Sequence, residues 1–592
     1  MSAAERPGPS PPDRRVDPIA FEVIRNALVE ATEEMAVALR RSAYSTNIKT
    51  RADFSCVLFD RDLRAVAQCF AQPTHLGSMV ELVPKAVRRY GEEKLGPGDA
   101  LLTNDAHAGG VHLNDIALIS PVFCGGELFG YAANIAHHVD VGGGAPASVG
   151  AFQEVFQEGV IIPAVRLVRA GEIEDDLFRL VLAQIRSKRE TAGDLRAQIA
   201  ANNTGIRRVN DLVSRVGAEA ASFYTGELIS YTERRTRADL ARLPKGEFRA
   251  EGCIDNDGFG GDPVALAARI VIDGDGVLFD LEGCDPQRRA PVNSTWAQTF
   301  SACAFALKCL IDEDVPVNAG FYGQVRMNAP EGTVVNCRAP AAVVGGWETQ
   351  TRLTDVMFKA LAPALPERMP AGTKAMQCHA GFGGADPRSG EYYCYLETLA
   401  GGFGGRAGRD GPDAVQTHGQ NTENAPIEET EMNYPLHVVR YELVEDSDGA
   451  GTWRGGLGLR RDYRFYGHEV RFTILADRDR WGPHGLFGGE PGRRASYVLD
   501  PDGEAEELSS KVTFDLAPGE VVSYRTCGGG GYGPAHERDP LAVLADVREG
   551  KVGLERAREV YGVAVDTEGW RVDEEETARL RAAAAEGDGR AS

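Results

Sequence analysis

Glycine does the most to restrict how this chain can fold. Over residues 390–535, short runs of β-type residues alternate with the segments GGFGGRAG, RGGLGL, LFGGEPG and CGGGGYG. Long helices are excluded there, since each interior glycine costs about 1 kcal/mol relative to alanine. Strands joined by tight turns remain, because glycine supplies the positive φ that such turns need. None of the segments has the form G-x-x-x-x-G-K-[ST], and none clearly lies between a strand and a long helix, so a phosphate-binding loop is not indicated. Without a Walker lysine, this chain is not expected to hold ATP. The absence of G-x-S-x-G argues against a serine hydrolase.

Ahead of that region the pattern is mixed. With 592 residues, the chain exceeds one ordinary core. We expect a mixed α/β (α+β) fold: a large multi-subdomain enzyme body with a β-rich, Gly-turn-rich C-terminal half. The expected divisions are a disordered tail (1–16), an N-terminal α/β region (17–245), a central α/β region (246–389), a β-rich region (390–535) and a helical C-terminal tail (536–592), its last 20 residues polar and frayed. Residues 17–45 read as a helix, with Asp17 as cap, Pro18 in the first turn, and Ile24, Leu28, Ala31, Met35 and Leu39 as one apolar stripe. FSCVLFD (54–60) and AVAQCF form an expected hairpin. A helix follows over 79–94, then strands at 99–105, 116–123 and 128–136. Residues 174–242 read as helix with a break at Asn202–Asn203–Thr204–Gly205. Residues 247–300 are β-rich, and helices are expected again at 301–311 and 350–363.

Composition narrows the function classes. A net charge of −23 repels phosphate backbones, so nucleic acid is not an expected partner. No apolar run reaches the ~18 residues needed to span a bilayer, and the first 15 residues lack the apolar core of a secretion signal. The 11 cysteines include no C-x-x-C pair, which points to buried free thiols and a cytoplasmic setting.

Chemistry concentrates in one window. Five of the 11 histidines lie between His75 and His138, together with Asp105, Asp115 and Asp140. Neutral imidazoles and carboxylates at strand ends are what a divalent metal site requires. His112 and Asp115 stand three apart in GGVHLND, after two glycines that permit a tight turn, and His137 follows in AHHVDVGGG at a strand end. Two histidines and one or two carboxylates leave positions open for water or substrate. The donor types leave zinc, manganese and iron possible. Spacing alone also allows a plainer reading, in which these residues cap and hydrogen-bond loops.

The segments DPIAFEVIRNAL, RADFSCVLFD, THLGSM, TNDAHAGGVHLNDIALISPVF, AHHVDVGG and QEGVIIP follow one another in this chain, and PVNAGFYGQVRMNAPEGTVVN, GGRAGRDGPDAV, NTENAPIEETEMNYPL, AGTWRGGLGLRRDY and GGGGYG continue the order. This series resembles the hydantoinase B/oxoprolinase family over about residues 17–562. The resemblance implies the metal-binding subunit of an ATP-dependent hydrolase of cyclic amides: a hydantoin, a lactam or 5-oxoproline. A hydantoinase A-like partner subunit would hold ATP and magnesium and phosphorylate the amide oxygen, and this chain would complete hydrolysis with metal-activated water. A hetero-oligomer follows from that division. By resemblance, the ligands of one divalent ion fall on His112, Asp115 and His137, with Asp53 as candidate fourth. Thr50 stands where many relatives carry Glu, which bears on that fourth ligand and on the substrate class. His138 and Asp140 are candidates either to move protons or to orient the ligands. The resemblance extends to acetone and acetophenone carboxylases, so ATP-dependent ketone carboxylation is an alternative, as is a non-catalytic scaffold completing the partner's site.

Overall fold

The computed structural model describes residues 16–273 and 276–588; most of the expected N-terminal tail lies outside them. Helix α1 (Pro18–Ser42) starts where Asp17 accepts the N–H of Ile19 at 3.0 Å, and its whole expected stripe is buried. The stripe packs on one face of a seven-stranded antiparallel sheet. Its strands are β1 (Phe54–Asp60), β2 (Ala65–Gln68), β3 (Ala100–Thr103), β4 (Asp115–Cys124), β5 (Glu127–His137), β6 (Val165–Arg169) and β7 (Glu172–Ile173), in the order β2-β1-β5-β4-β3-β6-β7. Phe54, Cys56 and Leu58 face α1, whereas Val57 and Phe59 face helix α2 (Pro73–Tyr90) on the other side. Both faces are therefore covered, and every residue of β1 is buried.

Helix α2 begins six residues earlier than the apolar period indicates: Pro73 opens it, which brings His75 into its first turn. Helix α3 (Lys188–Val216) passes through Asn202–Gly205 without the expected break. The Asn202 amide donates to Leu118 O and Ser120 Oγ at 3.1 Å each and accepts from Asn134, so it serves the sheet rather than a turn. Gly205 lies against Met35, where a Cβ would come 2.4 Å from the sulfur. The chain breaks instead at Gly217, at φ +86°, before helix α4 (Ala218–Leu240).

The central region joins a four-stranded sheet of β8 (Gly246–Ile254), β9 (Val264–Asp273), β10 (Gly276–Asp280) and β11 (Val325–Asn328) to helices α5 (Trp296–Lys308) and α6 (Gly346–Leu361) around one core. Further on, β12 (His379–Ala385), β13 (Tyr392–Thr398), β16 (Val470–Leu475) and β19 (Lys511–Leu516) form one antiparallel sheet. It faces a second sheet of β14 (Leu436–Leu443), β15 (Leu459–Phe465), β17 (Ser496–Leu499), β18 (Glu506–Glu507) and β20 (Val521–Arg525). An aromatic core fills the gap, with Phe382 and Phe472 stacked at 5.4 Å. The described residues close with helices α7 (Pro540–Arg548), α8 (Leu554–Glu559) and α9 (Glu574–Asp588); of the 20 residues expected to fray, Glu574–Asp588 are helical and the last four lie outside the described residues.

Several glycine-rich segments are not turns. Residues 528–531 have no positive φ and run buried and extended through the middle of other extended segments. Successive residues bond to different neighbours: Gly529 N–H to Gly456 O (2.9 Å), Gly530 N–H to Gly372 O (2.8 Å) and Gly531 N–H to Glu490 O (2.9 Å). That is the pattern of a strand at the centre of a bundle, not within a sheet. A Cβ on Gly529 would fall 2.0 Å from Phe403 O, and one on Gly530 1.9 Å from His484 O. Glycine is required there because backbone packs directly on backbone. Gly529→Ala is expected to cost ~3 kcal/mol or more through overpacking that no side chain can relieve. Gly467→Ala, at a turn with φ +66° and open space around it, should cost only ~1–2 kcal/mol. Unfolding midpoints of the two purified variants check this; equal losses would reject close packing as the reason for Gly529.

Candidate metal centre

Strand register assembles the first two groups. Asp115 opens β4 directly opposite His137, which closes β5. Side chains paired this way across an antiparallel ladder are near neighbours. His112 comes from the preceding loop, which two asparagines pin: Asn104 Nδ2 donates to Leu113 O at 2.7 Å, and Asn114 Nδ2 donates to His138 O and Ala147 O at 3.0 and 3.1 Å. One donor atom each from His112, Asp115 and His137 lies within 4.8 Å of the others, and all three residues are buried. His137 Nδ1 is 3.2 Å from Asp115 Oδ1, and His112 Nδ1 is 3.5 Å from Asp115 Oδ2.

Asp53, just ahead of β1, borders this group. Its carbonyl accepts the His137 N–H at 3.0 Å, and its Oδ1 accepts from Gln72 Nε2 at 3.1 Å. His75, from the first turn of α2, lies between the two carboxylates, its Nε2 3.3 Å from Asp115 Oδ1 and 4.0 Å from Asp53 Oδ1. Burial brings His112 down to about 4, so its imidazole is neutral, as ligation requires. Burial alone would raise Asp115, but His112, His75 and His137 outweigh it and hold its carboxyl well below the usual carboxylate range. Burial pushes His75 down, and the charge of Asp115, its hydrogen bond and Asp53 more than reverse this, leaving His75 raised.

The donor set fits a divalent cation. His112 Nδ1, Asp115 Oδ2 and His137 Nε2 are buried without a hydrogen-bond partner. Such orphans are rare in folded proteins and call for a ligand. A second acidic group, Asp255, Asp477 and Asp479, is of another kind: Asp477 is already paired with Arg352 at 2.6 Å and Lys511 at 3.0 Å.

His138 and Asp140 lie apart from the cluster's open atoms. His138 Nε2 pairs with Gln198 Oε1 at 3.0 Å on α3. Asp140 accepts from Arg186 Nη1 at 2.9 Å and from the backbone N–H of Arg186 at 2.8 Å. The Thr50 hydroxyl donates to Glu429 Oε1 at 2.8 Å.

Four residues that the sequence reading did not assign complete the surroundings. Trp347, at the start of α6, sets its ring 5.5 Å from His112 and 5.8 Å from His75 between centroids. Beside it Glu348 is fully buried, which raises its carboxyl to about 7, and its Oε2 accepts the Gln377 N–H at 2.9 Å. His379 Nδ1 lies 4.0 Å from Glu348 Oε1, and burial together with His137, Arg51 and His112 holds the His379 ring well below its ordinary range. His75 is the fourth; its place in THLGSM was visible, but its helical position was not.

The profile of the hydantoinase B/oxoprolinase family matches residues 17–535, and the chain belongs to that family. It is 38% identical to an uncharacterized protein of Methanocaldococcus jannaschii over 96% of this chain and 100% of that protein. It is 32% identical to a candidate D-/L-hydantoinase subunit of Pseudomonas sp. (strain NS671), over 96% of this chain and 98% of that one. The solved crystal structure of the ATP-dependent caprolactamase from Pseudomonas jessenii superimposes with a TM-score of 0.90 at 29% identity, covering 96% of this chain and 100% of that one.

The double substitution His112→Ala/His137→Ala is expected to leave purified protein without its divalent metal in elemental analysis, while Asp140→Asn retains it. Full metal retention by the double variant would reject the assignment.

Proposed function

We propose that this chain is the metal-holding subunit of an ATP-dependent cyclic-amide hydrolase, acting on a hydantoin, lactam or 5-oxoproline that an ATP-binding, hydantoinase A-like partner has phosphorylated. One observation carries the reading: buried imidazole and carboxylate atoms converge without partners in a chain of this family. His112, Asp115 and His137 would hold one zinc, manganese or iron ion, with Asp53 as fourth ligand. When bound, such an ion supplies Lewis-acid polarisation and acidifies water near neutral pH.

The chain's own residues do the rest. Trp347 packs its ring against His75 and His112 and so fixes their positions. Glu348, poised near neutrality, is suited to take or return a proton at Oε1, with His379 as its neighbour. His138 and Asp140, fastened to Gln198 and Arg186, fit the orienting role better than proton transfer. Amide hydrolysis is favoured over ketone carboxylation because relatives that match nearly the whole of both chains and have a named activity carry hydantoinase and caprolactamase names.

All 11 cysteines are free thiols, which suits a reducing, cytoplasmic compartment. No helix among the described residues is long and apolar enough to cross a membrane.

Purified alone, the chain is expected neither to bind nor to hydrolyse ATP in calorimetric and phosphate-release assays. Co-expressed with its partner, it should elute as one hetero-oligomer and hydrolyse a cyclic amide only when ATP is present. ATP-independent hydrolysis by the isolated chain would refute the division of labour, and bicarbonate-dependent consumption of a ketone would replace hydrolysis with carboxylation.

A further inference from the structure

The motif GGRAGRDGPDAV contributes nothing to the metal cluster, yet it forms the rim of a cavity. Arg406 and Arg409 exchange backbone hydrogen bonds, each N–H to the other's carbonyl at 3.0 Å, so the loop between them is a closed turn. Both side chains are exposed and neither has an ion-pair partner among the described residues. Arg368 stands beside them, its guanidinium bonded, among the described residues, only to the Leu310 carbonyl at 2.7 Å. Asp410, the carboxylate that lines this cavity, is already committed to Arg538 at 2.6 and 2.7 Å, and Glu313 and Glu367, which line an adjoining cavity with Arg368 and Arg406, form no ion pair with them. Three guanidiniums without an ion-pair partner among the described residues thus stand together in a chain of net charge −23.

Behind the arginines the cavity is aromatic. It has a volume of about 580 Å³, and Phe305, Phe358 and Phe403 line it together with His418. The His418 ring lies 4.9 Å from Phe358 and 5.4 Å from Phe403 between centroids. Its Nε2 is held 3.3 Å from Asp355 Oδ1 and 3.1 Å from Thr373 Oγ1, and Asp355 is itself held by Arg478 at 2.9 Å. This side chain is fixed before any ligand arrives.

A second cavity of about 530 Å³ shares Phe305, Phe403 and His418 and reaches Pro73 and Leu76 on α2. Helix α2 delivers His75 to the metal cluster. At its start Gln72 spans the two places, bonding Asp53 Oδ1 at 3.1 Å and the Asn421 N–H of the cavity wall at 3.1 Å. The second cavity therefore shares a wall with the candidate metal centre, and Phe305, Phe403 and His418 join it to the arginine-rimmed cavity.

We infer that the Arg368–Arg406–Arg409 rim and the aromatic chamber behind it bind an apolar ring that carries a phosphoryl group. Guanidinium forks recognise phosphoryl oxygens bidentately. Aromatic faces take up a small ring, and the volume suits a molecule of that size. An O-phosphorylated lactam has this composition, so the inference rests on the hydrolase reading and extends it toward lactams among the cyclic amides: this face receives the activated substrate from the partner.

The test uses phenyl phosphate, a stable ring bearing a phosphoryl group, in calorimetric titration of the purified full-length chain. Inorganic phosphate and ε-caprolactam serve as the two half-probes. Phenyl phosphate should bind at least ~10-fold more tightly than either, and Arg406→Gln/Arg409→Gln, at exposed positions, should weaken it by a further ~10-fold with metal content unchanged. In the assembled complex the same variant should lower kcat/KM for the cyclic amide. Equal binding of phenyl and inorganic phosphate would overturn the inference, as would a double variant that binds like wild type. Loss of complex formation by the double variant would also overturn it, since the arginines would then serve subunit docking. If the wild-type complex shows no ATP-dependent turnover, the hydrolase reading fails while the titration still decides the cavity. If turnover occurs but phenyl phosphate neither binds nor inhibits, the cavity assignment fails and the reading stands.

Discussion

Charge taken out of water sets the position of α6, and much of the molecule is arranged around that helix. Fifteen of its sixteen residues are buried, among them Glu348, Arg352 and Asp355. A buried ion costs several kcal/mol unless a partner and hydrogen bonds compensate it. Arg352 finds Asp477, Asp355 finds Arg478 and His418, and Glu348 takes the backbone N–H groups of Gln377 and Cys378. These partners come from the glycine-rich half of the chain, so α6 can be satisfied only when that half has packed on it. Its first turn then holds Trp347 and Glu348 against the histidines of the N-terminal sheet, and its middle holds His418 in the aromatic chamber.

The part of the site that could be read from sequence is the part made locally. His112, Asp115 and His137 lie within 26 residues, on a loop and the two strands that follow, and the apolar runs of β4 and β5 were enough to put Asp115 and His137 near strand ends. Trp347, Glu348 and His379 arrive from segments more than 200 residues away, and nothing periodic marks them. Helix α6 shows why: a helix buried all round with charged residues has no polar face, so amphipathic patterning carries no information about what it touches. Asn202 misled for a related reason. An asparagine favours turns on its own, but inside α3 its amide had backbone carbonyls of the sheet to serve.

Glycine was the least legible residue of all. At Gly467 it relieves a positive φ in open space, and at Gly529 it admits a carbonyl oxygen where a methyl group would stand. The letter is the same. Only the presence of a neighbouring backbone distinguishes the two, and that neighbour is supplied by tertiary structure. The mixed α/β architecture and the β-rich C-terminal half could be anticipated because both uses of glycine exclude helix.

The order of segments in the glycine bundle has a consequence for synthesis. Its central segment, 528–531, is the last of the bundle to be made, and the segments it joins, near 372, 403, 449–456 and 484–490, all precede it. On a ribosome those earlier segments emerge with no axis to pack on, whereas the N-terminal sheet has all seven of its strands by residue 173. Domains completed early in translation fold early. The N-terminal half can therefore form while the rest is still being translated, and the second half must wait, unpacked and exposed, for nearly nine-tenths of the chain to be made.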